Sequence, residues 1–140
     1  DKTREDETRE YYRKAADMAP DDIGFPIEYL RFLVSHKDYS AAFDYFRSLP
    51  GKYAANSRIR LLAAQAELSL GGTSVCDSGL FELSFPSIRE GEVSLTEAWY
   101  RYKAIKLAKA RGTAYSENVL AEAKKALIPP KKIDFRMQTN

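Results

Sequence analysis

The chain has one cysteine, Cys76, and one histidine, His36. A lone cysteine excludes an internal disulfide, and one Cys with one His falls short of the four ligands that a structural zinc site takes. The same scarcity bears on catalysis. His36 falls in an interhelical turn with no nucleophile or orienting carboxylate at a spacing that would bring them together, so neither a Ser/His/Asp nor a Cys/His arrangement emerges. No apolar run approaches the roughly 20 residues that span a bilayer. No leader pattern opens the chain either, because residues 1–10 are a charged run without an apolar core. The glycines do not form a phosphate loop: Gly71-Gly72 and Gly91 lack the glycine-rich run with a following Lys and Ser/Thr. No metal or cofactor is expected, and with reduced cysteine the expected setting is cytoplasmic.

What is present is the composition of a globular protein, 44% apolar and 30% charged, in 140 residues that suffice for one domain with a real core. The formal net charge is +2, unevenly placed. Residues 101–140 hold ten basic side chains against three acidic ones. Arg101, Lys103, Lys106, Lys109, Arg111, Lys124, Lys125, Lys131 and Lys132 lie near Trp99 and Tyr100, which is the chemistry of single-stranded nucleic-acid binding. These charges spread around their helices instead of lining one face, so a solvated surface is the reading preferred over a nucleic-acid partner.

The organisation is a repeat with a period of about 34 residues. Tyr12, Phe46 and Leu80 stand one period apart, each followed three positions later by Ala15, Leu49 and Leu83 and preceded four positions earlier by the small residues Thr8, Ala42 and Cys76. Leu30 and Ala64 keep the same phase in the preceding helix, and turns fall at Lys37-Asp38-Tyr39 and Gly71-Gly72-Thr73. Two helices that cross at small residues, with larger ones filling the groove to the next pair, account for such a period. Local signals agree with it. A helix is predicted over residues 5–18, stopped by Ala19-Pro20-Asp21-Asp22. Pro26 belongs in the first turn of the next helix, with Ile27, Leu30, Phe32, Leu33 and Val34 as its apolar face. Tyr39, Ala42, Phe43, Phe46 and Leu49 mark a partner helix ended by Pro50-Gly51. Ile59, Leu62, Ala63, Ala66 and Leu70 mark another, closed by Gly71-Gly72. A short second helix is expected within residues 73–85.

Residues 86–92 break the phase. Ser94-Leu95-Thr96-Glu97 reads as a capping box, opening a long helix to Arg111 with Gly112 past its end. That helix has two apolar faces, Leu95/Trp99/Tyr102 and Tyr100/Ala104/Leu107, and is expected between two neighbours with lysines snorkelling between them. A last helix begins after Ser116 and stops before Pro129-Pro130. In residues 131–140, Ile133, Phe135 and Met137 alternate as an extended, docked segment would.

The array Thr8, Tyr12, Ala15 and Pro20, then Tyr29-Leu30 followed by Asp38-Tyr39, Ala42 and Phe46, resembles the tetratricopeptide repeat over residues 1–85. Leu30 stands where that family usually has glycine, and the third copy weakens after Gly72. The segment Ile88-Arg89-Glu90-Gly91-Glu92, with Ser94-Leu95-Thr96, Trp99 and the closing Pro129-Pro130-Lys131-Lys132-Ile133-Asp134-Phe135-Arg136-Met137, is similar to the C-terminal end of large bacterial proteins that join a β-rich N-terminal region to such an array. The resemblance implies an all-α chain: antiparallel helix-turn-helix repeats in a right-handed α-solenoid, six or seven helices plus an extended tail. Residues 1–85 would be the repeats, the first one truncated, and 86–140 a helical cap and tail of the same domain. The first residues already lie inside the second helix of a repeat, so the chain is expected to begin as a cut from a longer protein.

The functional expectation is binding without catalysis. Placing the repeats in register puts Ile27, Arg31, Ser35, Arg58, Leu61, Gln65 and Ser69 on the concave face, where Arg31 and Arg58 have the bidentate geometry to grip a carboxylate of a protein or peptide segment. Against this stands the reading of both arginines as solvated surface, and the clamp of lysines and asparagines that some family members use for a peptide C-terminus is not reproduced. Carboxylate pairs such as Asp21/Asp22 and Glu90/Glu92 sit near helix starts, where they favour the dipole. Cys76 occupies the small buried slot of the repeat and reads as inert core. The alternative expectation is structural: residues 89–137 cap the array and pack on the β-rich region of the parent chain.

Overall fold

A computed structural model of the chain describes residues 2–85 and 92–136. The protein is all-α, with eight α-helices and no strand among the described residues: α1 (Lys2–Met18), α2 (Gly24–Ser35), α3 (Tyr39–Ser48), α4 (Gly51–Ala54), α5 (Ser57–Ser69), α6 (Ser74–Asp77), α7 (Glu92–Arg111) and α8 (Glu117–Ala126). Short 3-10 turns occupy Leu80–Glu82 and Lys131–Ile133. The expected connection at residues 86–91, including Glu90 and Gly91, lies outside the described residues, as does Met137. The chain forms two compact units, residues 1–66 and 67–140, divided within α5. Cap and array were expected to divide at residue 85.

The helices stop in two ways, and both follow from sequence. Helices α1, α3 and α8 run out one or more residues before Pro20, Pro50 and Pro129, because the residue preceding a proline is driven out of the helical region. Helices α2, α5 and α7 instead close on a left-handed residue: Lys37 (φ 58°), Gly71 (φ 89°) and Gly112 (φ 69°). Each closure carries the same pair of bonds. Lys37 N–H donates to Val34 O and Asp38 N–H to Leu33 O; Gly71 N–H to Leu68 O and Gly72 N–H to Glu67 O; Gly112 N–H to Lys109 O and Thr113 N–H to Ala108 O. Carbonyls that would otherwise be orphaned at the helix end are thereby satisfied. Lys37 and Gly71 stand one period apart, so the left-handed stop keeps the sequence repeat, and Gly112 departs from it.

The first unit is built on α2. Leu30 and Leu33 of α2, Ala42 of α3, Tyr53 of α4, and Ile59 and Ala66 of α5 form its buried centre, flanked by Ile27, Phe32, Phe43, Phe46 and Leu62. Helix α1 joins α2 through aromatic rings, with Tyr12 stacked on Tyr29 at 5.8 Å and tilted against Phe32 at 5.9 Å. The Arg9 guanidinium on α1 pairs with Asp38 in the α2–α3 turn. The Pro50-Gly51 signal does more than end α3. It opens the one-turn helix α4, whose Tyr53 hydroxyl donates to Pro20 O while Lys52 pairs with Asp21 at 3.0 Å. Helix α5 is capped by Asn56, whose Oδ1 accepts from Arg58 N–H at 3.0 Å and Ile59 N–H at 3.1 Å.

The second unit is built on α7. Leu95, Ala98, Trp99, Tyr100, Ala104, Ile105 and Ala108 are all buried on it, which accounts for the absence of a single apolar stripe. On one side Tyr102 meets Phe81 of the 3-10 turn at 5.7 Å; on the other α7 packs along α8 and the turn at Lys131–Ile133. Lys103 and Lys106 lie over the Tyr102 ring at 5.6 and 5.5 Å, and Lys103 also over Trp99 at 5.5 Å. The short helix expected within residues 73–85 is α6, which Gly79, turning left-handed (φ 101°), separates from the 3-10 turn. One expectation needs correction. Ser94 does not cap α7, which already begins at Glu92; Glu97 instead pairs with Lys124 of α8 at 3.0 Å. Ser116 does cap α8, its Oγ accepting from Val119 N–H at 3.3 Å.

Two stability measurements test this account. Replacing Lys37 by glycine removes a side chain from a left-handed conformation that L-residues resist, and should raise stability by about 1 kcal/mol net of the extra freedom glycine gives the unfolded chain. A denaturant midpoint that falls would contradict it. At Gly72 a Cβ would stand 2.8 Å from Glu67 Cγ and 3.1 Å from its Oε2. Gly72→Ala should therefore cost about 2 kcal/mol by displacing a buried carboxylate from its donors, and almost nothing in a Glu67→Ala background. Equal costs in both backgrounds would show that the two positions do not communicate.

Candidate functional site

The expected concave-face residues come from α2 and α5, and the structure treats them unequally. Ile27 is half-buried against the core of the first unit. Arg31 is half-exposed, its Nη1 3.8 Å from the Glu28 carboxylate one turn earlier. Ser35 is exposed and its hydroxyl donates to Phe32 O at 2.9 Å. Arg58 and Gln65 are half-exposed on α5. Leu61 is only 6% exposed, so it offers no surface to a partner, which corrects its place among the groove residues. Ser69 is exposed and belongs to the second unit. Four residues of the first unit, Arg31, Ser35, Arg58 and Gln65, are thus at least partly exposed among the expected set.

The other sequence candidates resolve into packing roles. His36 is exposed with Nδ1 2.9 Å from Phe32 O; a carbonyl only accepts, so Nδ1 carries the proton and the ring caps the end of α2. Cys76 is buried in the small slot and takes part in no disulfide. Asp22 Oδ1 accepts from Gly24 N–H at 2.9 Å at the start of α2, and Asp21 pairs with Lys52. Among the described residues no three His, Cys, Asp or Glu side chains gather as metal ligands would, and no helix is long and apolar enough to cross a membrane.

Three polar clusters in the second unit carry most of its directed chemistry. In the first, the buried Glu67 carboxylate at the end of α5 accepts from Val75 N–H at 2.8 Å and from the Ser74 hydroxyl, capping the start of α6. In the second, Asp77 at the end of α6 gathers the Thr73 hydroxyl at 2.9 Å, the Tyr102 hydroxyl at 2.6 Å and Lys106 Nζ at 2.9 Å. Donation by Tyr102, then by Lys106 and Thr73, holds the Asp77 carboxyl down at about 2. The same bond to Asp77, reinforced by burial, pushes the Tyr102 phenol up to about 12. In the third, the Thr96 hydroxyl on α7 donates to Ile133 O at 2.6 Å and accepts from Phe135 N–H at 3.1 Å. Beside it the Tyr100 hydroxyl donates to Leu127 O at 3.0 Å and accepts from Arg136 Nη1 at 3.2 Å. Arg136 in turn holds Asp134 at 2.7 Å and keeps its carboxyl below the usual range.

Sequence reasoning missed Asp77 and Thr96, although Tyr102 and Ile133 were recognised as apolar packing residues. Neither has a local signature. Asp77 takes one donor from the residue before α6 and two from successive turns of α7, across the whole intervening connection. Thr96 holds a segment that follows only after α8. The α6–α7 junction has a pH signature. A carboxylate whose folded pKa lies below its unfolded value of 3.8 contributes stability that is full above that value and lost as pH falls through about 2. Asp77→Asn should therefore destabilise the protein at neutral pH, and the gap to wild type should close between about pH 4 and pH 2. Tyr102→Phe should move the Asp77 titration, followed by carboxyl carbon resonances, from about 2 back toward 3.8. An unmoved titration would mean that the phenol is not its main donor.

Compared with family models, with curated proteins and with solved structures, the chain matches none of them.

Proposed function

We propose that the chain is a tetratricopeptide-like helical module that works without catalysis, as a scaffold holding a protein or peptide segment against the face of α2 and α5. What supports this reading is a set of like features that keep the sequence period. A helix with a fully buried slot residue (Leu30, Ala64) closes on a left-handed residue (Lys37, Gly71) and is followed by a helical turn with a small buried residue (Ala42, Cys76), the members of each pair one period apart. Stacked units of this kind present the first helices of successive pairs side by side, and a surface of that sort binds extended segments by shape and a few polar contacts. The directed polar groups support a non-catalytic role in their own way. Glu67, Asp77 and Thr96 each fasten one stretch of the chain to another, and a group consumed in that way is not poised over a substrate.

A second reading is favoured by the docking of residues 127–136 on α7, which covers that face as a capping segment would. On this reading the module closes a helical array and packs on a β-rich region of a longer protein. Capture from native lysate with the chain as bait, beside an Arg31→Ala/Arg58→Ala double variant, separates the two. A protein captured by wild type and weakened at least about tenfold by the double variant supports the groove, since two lost charge-assisted contacts are worth that much or more. Capture indifferent to the substitutions rejects the groove. Recovery of only a β-rich region of the parent protein, equally indifferent, supports the cap.

A further inference from the structure

Residues 127–136 form a strap held along α7 at several points. Thr96 on α7 donates to Ile133 O and accepts from Phe135 N–H, Tyr100 one turn along donates to Leu127 O, and Pro129 and Ile133 are buried. That anchoring decides what faces the other way. Leu127 (ψ 145°) and Pro130 (ψ 142°) are extended, and neighbouring side chains of an extended stretch point to opposite sides. With Pro129 turned inward, Ile128 is held outward at 76% exposure. Leu127 O and Pro129 are fixed on either side of it, so Ile128 cannot turn inward without releasing one of them.

The surroundings of Ile128 carry charge of one sign. Residues 124–132 hold four lysines and no acidic residue. Lys124 and Lys125 lie in the last turn of α8, Lys131 and Lys132 open the 3-10 turn, and all four are exposed. The carboxylates nearby are already engaged: Glu122 pairs with Arg111 at 2.6 Å, Asp134 with Arg136 at 2.7 Å and Glu97 with Lys124 at 3.0 Å. Among the described residues Lys125, Lys131 and Lys132 have no carboxylate at ion-pair distance. An exposed aliphatic side chain between two pairs of lysines complements a surface that is negative outside and apolar just beneath, which is the boundary of an anionic bilayer. A nucleic acid offers the same negative charge, but its bases want exposed aromatic rings, and Trp99 and Tyr100 on the neighbouring α7 are buried. We propose that residues 124–132 are a peripheral membrane contact, in which Ile128 enters the headgroup boundary of an anionic bilayer and the lysines on either side pair with lipid phosphates and carboxylates. Such a contact lies on the bilayer and needs no helix to cross it. The inference goes beyond the scaffold reading and does not depend on the face of α2 and α5.

The test is flotation of the whole chain with lipid vesicles. Wild type should bind phosphatidylcholine vesicles that carry about 30 mol% phosphatidylserine, should leave pure phosphatidylcholine vesicles bare, and should be released by about 0.5 M salt. Lys125→Gln/Lys131→Gln/Lys132→Gln should lower the partition constant about a hundredfold, at roughly fivefold per lysine. Ile128→Ser should lower it about tenfold. Ile128→Phe adds apolar area at the same point and should raise it, a gain that misfolding could not produce. Both replacements at Ile128 and all three at lysines change exposed side chains, and helicity by circular dichroism checks that each variant folds as wild type does. No binding to the anionic vesicles overturns the proposal, as does equal binding to the neutral ones. Binding that both Ile128 variants leave unchanged also overturns it, because the lysines alone would then be adhering to charge. Tighter binding to polyuridine than to vesicles at equal phosphate concentration, indifferent to Ile128, would assign the lysines to nucleic acid and overturn it as well.

Discussion

The whole arrangement depends on how a helix can be ended without wasting its last carbonyls. A helix that stops before a proline leaves them to solvent and lets the chain wander; a helix that closes on a left-handed residue uses two of them at once and reverses the chain within a few residues. In this protein α2, α5 and α7 close in the second way and α1, α3 and α8 end in the first. The helices that carry the buried centre of each unit, α2 and α7, are thus the ones that turn tightly into the next helix. Their neighbours α3 and α8 are brought back against the same apolar face from which they came. Helices of 10 residues are marginal alone in water, so the reversal is what lets α3 and α8 exist, by giving their apolar residues a surface to cover.

The tight reversal after α5 creates a crowding problem that the sequence solves with two residues. Closing on Gly71 places Gly72 beside the side chain of Glu67, so close that a methyl group would meet its Cγ and Oε2. In return the Glu67 carboxylate reaches Val75 N–H and the Ser74 hydroxyl at the start of α6. A helix of a single turn has no cooperative stability of its own. Helix α6 is therefore held from both ends, by Glu67 at the first turn and by Tyr102 and Lys106 on Asp77 at the last. A buried carboxylate such as Glu67 is tolerated only where donors converge on it, and here the groups around Glu67 and the exposed Asp77 are also what fixes the position of a segment too short to fix itself.

This division explains what could be read in the sequence. Prolines and glycine pairs are legible because they act on their own neighbours: the stops at Pro20, Pro50, Gly71-Gly72, Gly112 and Pro129 stand where expected, as does the start of α8 after Ser116. Lys37 was legible as a turn, from its place in the period, but not as a left-handed residue, since nothing in a lysine announces that conformation. Helix α4 was hidden because Pro50-Gly51 is equally good as the end of one helix and the start of another. The apparent capping box at Ser94 failed because α7 extends past it, and the Glu97 carboxylate finds a lysine on α8 instead. Leu61 was placed on the open face by register alone, and register does not say how deep a face is buried. Asp77 and Thr96 were beyond local reasoning altogether, since their meaning lies in residues far along the chain.

The docked strap shows how a polar side chain inside a helix acquires a role that its own element does not give it. A threonine hydroxyl has one proton to donate and lone pairs to accept with, which suffices to match the Ile133 carbonyl at the end of a 3-10 turn and the Phe135 N–H two residues on. Such a pair of bonds is blind to sequence, because every residue except proline carries the same groups. Selectivity at that place must come from the side chains that flank the pair and from the residues that set their approach. Ile133 is buried there and Pro129, earlier in the strap, is buried too, while the intervening lysines are not. Burying one isoleucine contributes about 2–3 kcal/mol and each backbone bond about 1 kcal/mol. Affinity of that size suits a segment that is tethered to its site, as this one is through α8.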